Sequence, residues 1–182
     1  GCHDGIPLLD LKGLLPEEEI QSLIERIVSR GGMVKNLHGQ KNLYYQVNAT
    51  YYSALGASDE KMLLARAIQM FMPGKPQVWY LDLFAGKNDH EAVQRAGESG
   101  HKEINRTNLS TDQITEGLKK DVVQKQLALI RMRNTHKAFS EGAEVAISGG
   151  ERSLEIRWEY NSAFATLYVN FESGTYTIVE SR

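Results

Sequence analysis

After Phe139 the spacing of apolar residues changes from helical to period two, and this change restricts the fold more than any other feature of the chain. Residues 144–147, 154–160, 165–171 and 175–179 read as short strands. Gly149-Gly150, Asn161-Ser162 and Ser173-Gly174 stand between them and have the backbone freedom that tight hairpin connections need. Residues 138–182 are therefore predicted to form a small antiparallel all-β C-terminal domain.

Upstream, residues 1–137 alternate helical and strand-like segments. Pro16-Glu17-Glu18-Glu19 opens a helix, since Pro suits the first turn and acids suit the positive end of the dipole. Ile20, Leu23, Ile24, Ile27 and Val28 continue it at helical spacing, and Gly31-Gly32 ends it. Residues 33–43 read as an irregular loop, and residues 46–55 as a short extended piece with a polar, Tyr-rich turn. Ser58 or Asp59 caps a second helix that runs to Met72 and stops at Pro73-Gly74. The apolar and aromatic run 77–84 reads as a buried parallel strand. Residues 86–109 form a long polar stretch, more often functional than idle in a compact domain. A helical turn at 112–116 and a helix over 119–136 follow. The order helix, strand, loop, helix is that of the tail end of a β/α barrel. The predicted class is α/β, with the last part of a truncated (β/α)8 barrel followed by the antiparallel domain.

Composition excludes several partners. The formal net charge is −2 with 41% hydrophobic and 24% charged residues, so the chain is globular and has no basic patch for nucleic acid or an anionic membrane. Its single cysteine, Cys2, excludes an internal disulfide and a multi-cysteine metal site, and fits a cytoplasmic protein. No apolar stretch is long enough to span a bilayer. The five histidines lack the i,i+4 spacing of a metal pair, so no metal and no cofactor is expected. Gly86-Lys87 follows the 77–84 run, but the Gly that a phosphate loop needs five positions earlier is Leu81, and Asn88 stands where Ser or Thr is required. Lys87-Asn88-Asp89 is expected to cap a short helix instead.

The chain starts abruptly. His3-Asp4-Gly5 and the apolar Ile6, Leu8 and Leu9 read as a strand end turning into a loop, the place where α/β barrels carry catalytic side chains. The reading is that of the back part of a larger enzyme. An Asp there can stabilise a cationic transition state, and an adjacent His can bind a sugar hydroxyl.

Five blocks in one register carry a resemblance. They are His3-Asp4-Gly5-Ile6, Tyr45-Gln46-Val47-Asn48 with its continuation to Gly56, Pro73-Gly74-Lys75-Pro76-Gln77-Val78, Ala85-Gly86-Lys87-Asn88-Asp89, and Ile104-Asn105-Arg106. Over about residues 3–137 the chain resembles the sucrose phosphorylase group of the α-amylase superfamily, glycoside hydrolase family 13. The resemblance implies a retaining double displacement in which a covalent glucosyl-enzyme is intercepted by phosphate as co-substrate. It places the nucleophile and the acid/base on barrel strands that this sequence does not contain, so the chain alone is expected to be inactive. Asp4 looks like the transition-state stabiliser and His3 like its neighbour at the glucose hydroxyls. Tyr45 and Gln46 look like the loop that shapes the acceptor and phosphate site. Two positions depart from the group. Leu43 stands where sucrose phosphorylases commonly have an Asp that helps hold fructose. The segment Gly100-His101-Lys102-Glu103 replaces the usual Gly-Arg that holds glucose. Either Lys102 or His101 can take that place, Lys102 without the bidentate fork of Arg. The leaving group therefore stays open among fructose, fructose 6-phosphate, glycerol and glycerate. Other readings are a non-catalytic sugar-binding or assembly module, and an α-glucoside hydrolase of the same superfamily. An unpaired strand at 77–84 is expected to drive a homodimer or a domain-swapped assembly.

Overall fold

The structure is a computed structural model that describes residues 2–36 and 44–181. Its strands in chain order are β1 (Ile6–Pro7), β2 (Met33–Asn36), β3 (Tyr44–Asn48), β4 (Glu144–Gly150), β5 (Ser153–Tyr160), β6 (Ala163–Asn170) and β7 (Thr175–Glu180). Its helices are α1 (Glu17–Ser29), α2 (Tyr51–Ala54), α3 (Asp59–Phe71), α4 (Tyr80–Leu83), α5 (His90–Ala96), α6 (Thr111–Gly117) and α7 (Asp121–Thr135). The chain divides into two compact units, Gly1–Ser58 with Gln77–Leu118, and Asp59–Pro76 with Lys119–Arg182.

In the first unit Ile20, Ile24 and Ile27 line one face of α1 and are buried with Leu8, Val47 and Ala49. Gly31 and Gly32 end the helix by donating their N–H groups to the carbonyls of Val28 and Ile27. β1, β3 and β2 form an antiparallel sheet in that order. Met33–Asn36 thus pairs as a strand within the segment expected to be an irregular loop. Residues 37–43 of that loop, Leu43 among them, lie outside the described residues, as do the side chains of Tyr44 and Tyr45. Gly5 has φ +108°, and a Cβ there would lie 2.7 Å from the Val47 carbonyl oxygen. Only glycine lets the His3-Asp4 turn come this close to β3.

The run 77–84 is not a parallel strand. Tyr80–Leu83 makes a turn of helix. Ala85 takes φ 53°, and the Gly86 N–H donates to the Leu81 carbonyl at 2.8 Å, which folds the segment back on itself. Short apolar runs do not distinguish a buried strand from a buried helical turn by periodicity. What separates them here is the polar atoms. Asp82 is 3% exposed and accepts the Tyr51 N–H at 2.8 Å, a tertiary bond that local sequence does not announce. Asp89 caps α5 by accepting the Ala92 N–H, and a 3-10 segment, Gly97–Asn105, follows within the long polar stretch.

The second unit contains the antiparallel sheet β4-β5-β6-β7, joined by consecutive hairpins. All four strands lie where the period-two pattern puts them, but Gly149 and Gly150 are not the first turn: they continue β4 and pair with Leu154 and Ser153, and the turn falls at Glu151-Arg152. Ile156, Trp158, Ala165, Leu167 and Val169 are buried. The helices α3 and α7 belong to this unit as well, so the compact unit extends beyond residues 138–182, and its first strand begins at Glu144 after a 3-10 turn at Lys137–Phe139. Arg66 on α3 donates to Gln126 Oε1 on α7 at 2.9 Å, and both side chains are buried. The Trp158 indole N–H donates to the Phe71 carbonyl at 2.6 Å, and the Arg133 guanidinium lies over both the Trp158 and Phe139 rings. Among the described residues no helix is long and apolar enough to cross a membrane.

Candidate active site

The site is assembled in the first unit around the turn that carries His3 and Asp4. Two buried amides hold the backbone of that turn from below. Asn48 Nδ2, at the end of β3, donates to the Asp4 carbonyl at 2.8 Å, and Asn105 Nδ2 donates to the His3 carbonyl at 3.3 Å. Both asparagines are almost fully buried, at 0% and 1% exposure. Arg106 Nε adds a second bond to the His3 carbonyl at 3.2 Å.

The Asp4 side chain is half exposed, and three basic groups converge on its Oδ1. His3 Nε2 lies at 3.4 Å, Lys102 Nζ at 3.3 Å and Arg106 Nη2 at 3.6 Å. All three contacts are on Oδ1; among the described residues Oδ2 makes no polar contact. The His3 ring stands 5.9 Å from the Trp79 ring, and Trp79 donates its indole N–H to the Asn105 carbonyl at 3.0 Å. Tyr80 anchors the next residues through its hydroxyl on the Thr107 carbonyl at 2.6 Å, and burial pushes that phenol up from its usual range. These two aromatics, from the run first read as a strand, fix the segment that carries Lys102, Asn105 and Arg106.

Asp89 ties the same segment to α5. Its Oδ1 accepts the Ala92 N–H at 2.8 Å and its Oδ2 accepts the Thr107 hydroxyl at 2.9 Å. The helix N–H holds its carboxyl below the usual aspartate range, helped by Thr107 and Arg95 against the opposing effect of burial.

His3, Asp4 and Lys102 are thus brought together. His101, the alternative to Lys102, has its ring Nε2 buried, and of these two residues Lys102 is the one that reaches Asp4. Gln46 is buried in β3, and its Nε2 has no hydrogen-bond partner among the described residues. Tyr45 precedes it in the same strand. Residue-level reasoning missed Asn48, Asn105 and Arg106 as members of the site. All three stood in the Tyr-Gln-Val-Asn and Ile-Asn-Arg blocks, but nothing in those blocks says that they point at residues 3 and 4. Among the described residues no group of three or more His, Cys, Asp or Glu side chains could hold a metal ion.

No protein-family model matches the chain. It is 53% identical over 98% of its length to the sucrose 6(F)-phosphate phosphorylase of Ilumatobacter coccineus, covering 36% of that protein. It is 40% identical over 98% of its length to the sucrose phosphorylase of Agrobacterium vitis, covering 38% of that protein. The chain belongs to the sucrose phosphorylase group. The crystal structure of sucrose 6F-phosphate phosphorylase from Thermoanaerobacter thermosaccharolyticum matches all of it with a TM-score of 0.92 at 37% identity, over 38% of that chain. The fold is therefore that of the C-terminal region of a sucrose phosphorylase, the end of the α/β barrel with its small antiparallel β domain. The chain spans little more than a third of the length of the phosphorylases it matches.

Proposed function

We propose that this chain is the part of a retaining glucosyl phosphorylase that supplies the transition-state stabiliser and the acceptor strand. The complete protein transfers an α-glucosyl group from a sucrose-type donor to phosphate and releases glucose 1-phosphate. The observation that carries the reading is the Asp4 carboxylate, held on one oxygen by Lys102 and Arg106 and, among the described residues, without a polar contact on the other. A fixed anion with a free oxygen is suited to the positive charge that develops at the anomeric carbon. Asp4 stabilises that charge, His3 and Lys102 bind glucose hydroxyls, and Tyr45 and Gln46 shape the phosphate and acceptor site. The buried Gln46 Nε2, which has no hydrogen-bond partner among the described residues, supports the last assignment, since a buried donor without a partner costs free energy unless a ligand satisfies it.

The reaction needs no cofactor, because an enzyme carboxylate displaces the leaving group and phosphate then attacks the glucosyl-enzyme. Sucrose 6′-phosphate is the preferred donor, by the names of the relatives and by Leu43 in place of the Asp that helps hold unphosphorylated fructose. The protein works in the cytoplasm, on small molecules and without nucleic acid or membrane. Taken alone, the chain is inactive and self-associates through apolar surface such as Leu14 and Val28.

The test is phosphorolysis by the full-length protein with sucrose, sucrose 6′-phosphate, glucosylglycerol and glucosylglycerate. Glucose 1-phosphate from sucrose 6′-phosphate above the other donors is the expected result. Four intact donors with hydrolysis of α-glucosides would make the protein a hydrolase instead. No turnover of any glucoside would leave a sugar-binding module.

A further inference from the structure

We propose that Arg106 is the positioning residue for Asp4, clamping the carboxylate and the backbone beneath it so that Oδ2 faces the reacting sugar. The inference rests on the proposed glucosyl transfer and extends it to a residue that does not itself touch substrate.

All three guanidinium nitrogens are occupied. Nε donates to the His3 carbonyl at 3.2 Å, Nη2 faces Asp4 Oδ1 at 3.6 Å, and Nη1 faces Glu103 at 3.7 Å. One planar fork therefore spans the main chain of residue 3 and the side chain of residue 4. Rotation of the Asp4 carboxylate away from this geometry breaks its contact with Nη2 while Nε stays on His3. Glu103 faces the third nitrogen in a partly exposed pair, and the stronger constraint on the fork is the Nε bond to the His3 carbonyl. Lys102 lies on the same oxygen, but a flexible ammonium is a point charge and sets no plane. Asn105 completes the arrangement by sharing the His3 carbonyl from a fully buried position. Consecutive residues of one 3-10 segment and its end thus grip consecutive residues of the turn, about a hundred positions away in sequence. Such a grip is the support that a charge-stabilising carboxylate requires, because a small misplacement costs rate steeply.

The test uses the full-length protein as wild type, R106Q and R106K. Each is assayed for glucose 1-phosphate with the donor that wild type accepts and with α-glucosyl fluoride, whose leaving group needs no acid. R106Q is expected to lose about 10²-fold in kcat on both donors while KM for the donor moves less than about threefold, the pattern of an interaction that matters only in the transition state. R106K, which keeps the charge and loses the fork, is expected to remain about tenfold below wild type with an unchanged thermal midpoint. Should R106Q fail to fold, R106K carries the test by the same kcat criterion. A folded R106K or R106Q with wild-type kcat, or a loss confined to KM, overturns the positioning role and leaves the glucosyl transfer intact. A wild-type protein that forms no glucose 1-phosphate overturns the transfer reading, and the role of Arg106 with it.

Discussion

Asn48 Nδ2 donates a 2.8 Å hydrogen bond to the main-chain oxygen of Asp4, 44 positions earlier in the chain. The bond joins the end of β3 to the turn that carries the site, from a side chain with no exposure to solvent. Asn48→Ala removes the donor and leaves a part-buried carbonyl unsatisfied. It is expected to destabilise the chain by about 1–3 kcal/mol, seen as a lower urea midpoint at unchanged slope. Asn48→Asp is expected to cost more, since a buried carboxylate would face a carbonyl oxygen. A midpoint equal to wild type in both variants would show that the contact holds nothing.

Lys102 is the opposite case. Its side chain is 36% exposed where it meets Asp4, so the ion pair contributes little to folding. Lys102→Met is expected to change unfolding free energy by less than about 1 kcal/mol. In the full-length protein it should nevertheless lower kcat/KM about tenfold, the loss of one charged contact to substrate or to Asp4. Unaltered kinetics would remove Lys102 from the site.

Asp89 makes part of the stability pH-dependent. The Ala92 N–H, and after it Thr107 and Arg95, hold its folded carboxyl below the usual aspartate range. A carboxyl lowered on folding contributes stability that is present above the unfolded value and is lost as the pH falls through the folded one. Asp89→Ala is expected to cost about 1 kcal/mol at neutral pH through the lost cap. Asp89→Asn keeps a capping oxygen and should flatten the fall in stability below the ordinary aspartate range. Thermal midpoints between neutral pH and strongly acidic pH read both effects, and an acid limb unchanged in Asp89→Asn would assign it to other carboxyls.

Trp158 tests the second unit. Its indole N–H donates to the Phe71 carbonyl, and its ring carries Arg133 at 4.2 Å. Trp158→Phe keeps an aromatic face and removes the donor, leaving a buried carbonyl unpaired. The expected cost is about 1–3 kcal/mol. Trp158→Leu should cost more, because the cation then loses its aromatic surface as well. Calorimetry of the three proteins orders them, and equal midpoints for wild type and Trp158→Phe would show that the bond is worth nothing net.

Much of the local structure was legible in the residues. α1, α3 and α7 follow from apolar spacing with Pro16 at one start and Gly31 and Pro73 at two ends, and the four strands of the second unit follow from alternation, although the first turn falls at Glu151-Arg152 and not at the two glycines before it. The exceptions share one cause. Residues 80–83 are helical because Asp82 and Tyr80 bond to the backbone of Tyr51 and Thr107, and Met33–Asn36 is a strand because β3 offers it a partner. No window of local sequence contains those partners.

The same distinction governs the site. The residues in order already name the chemistry on offer: one carboxylate at residue 4, an imidazole beside it, and blocks that resemble the sucrose phosphorylase group. How that carboxylate is held depends on folding. Lys102 and Arg106 are close to a hundred residues from Asp4, and they meet it because Asn48, Asn105, Trp79 and Tyr80 spend their side-chain hydrogen bonds on distant main-chain carbonyls. Hydrophobic periodicity is a one-dimensional signal that survives in any window of the chain. A polar side chain bonded to a remote carbonyl leaves no such trace, so this part of the site appears only when the chain is folded.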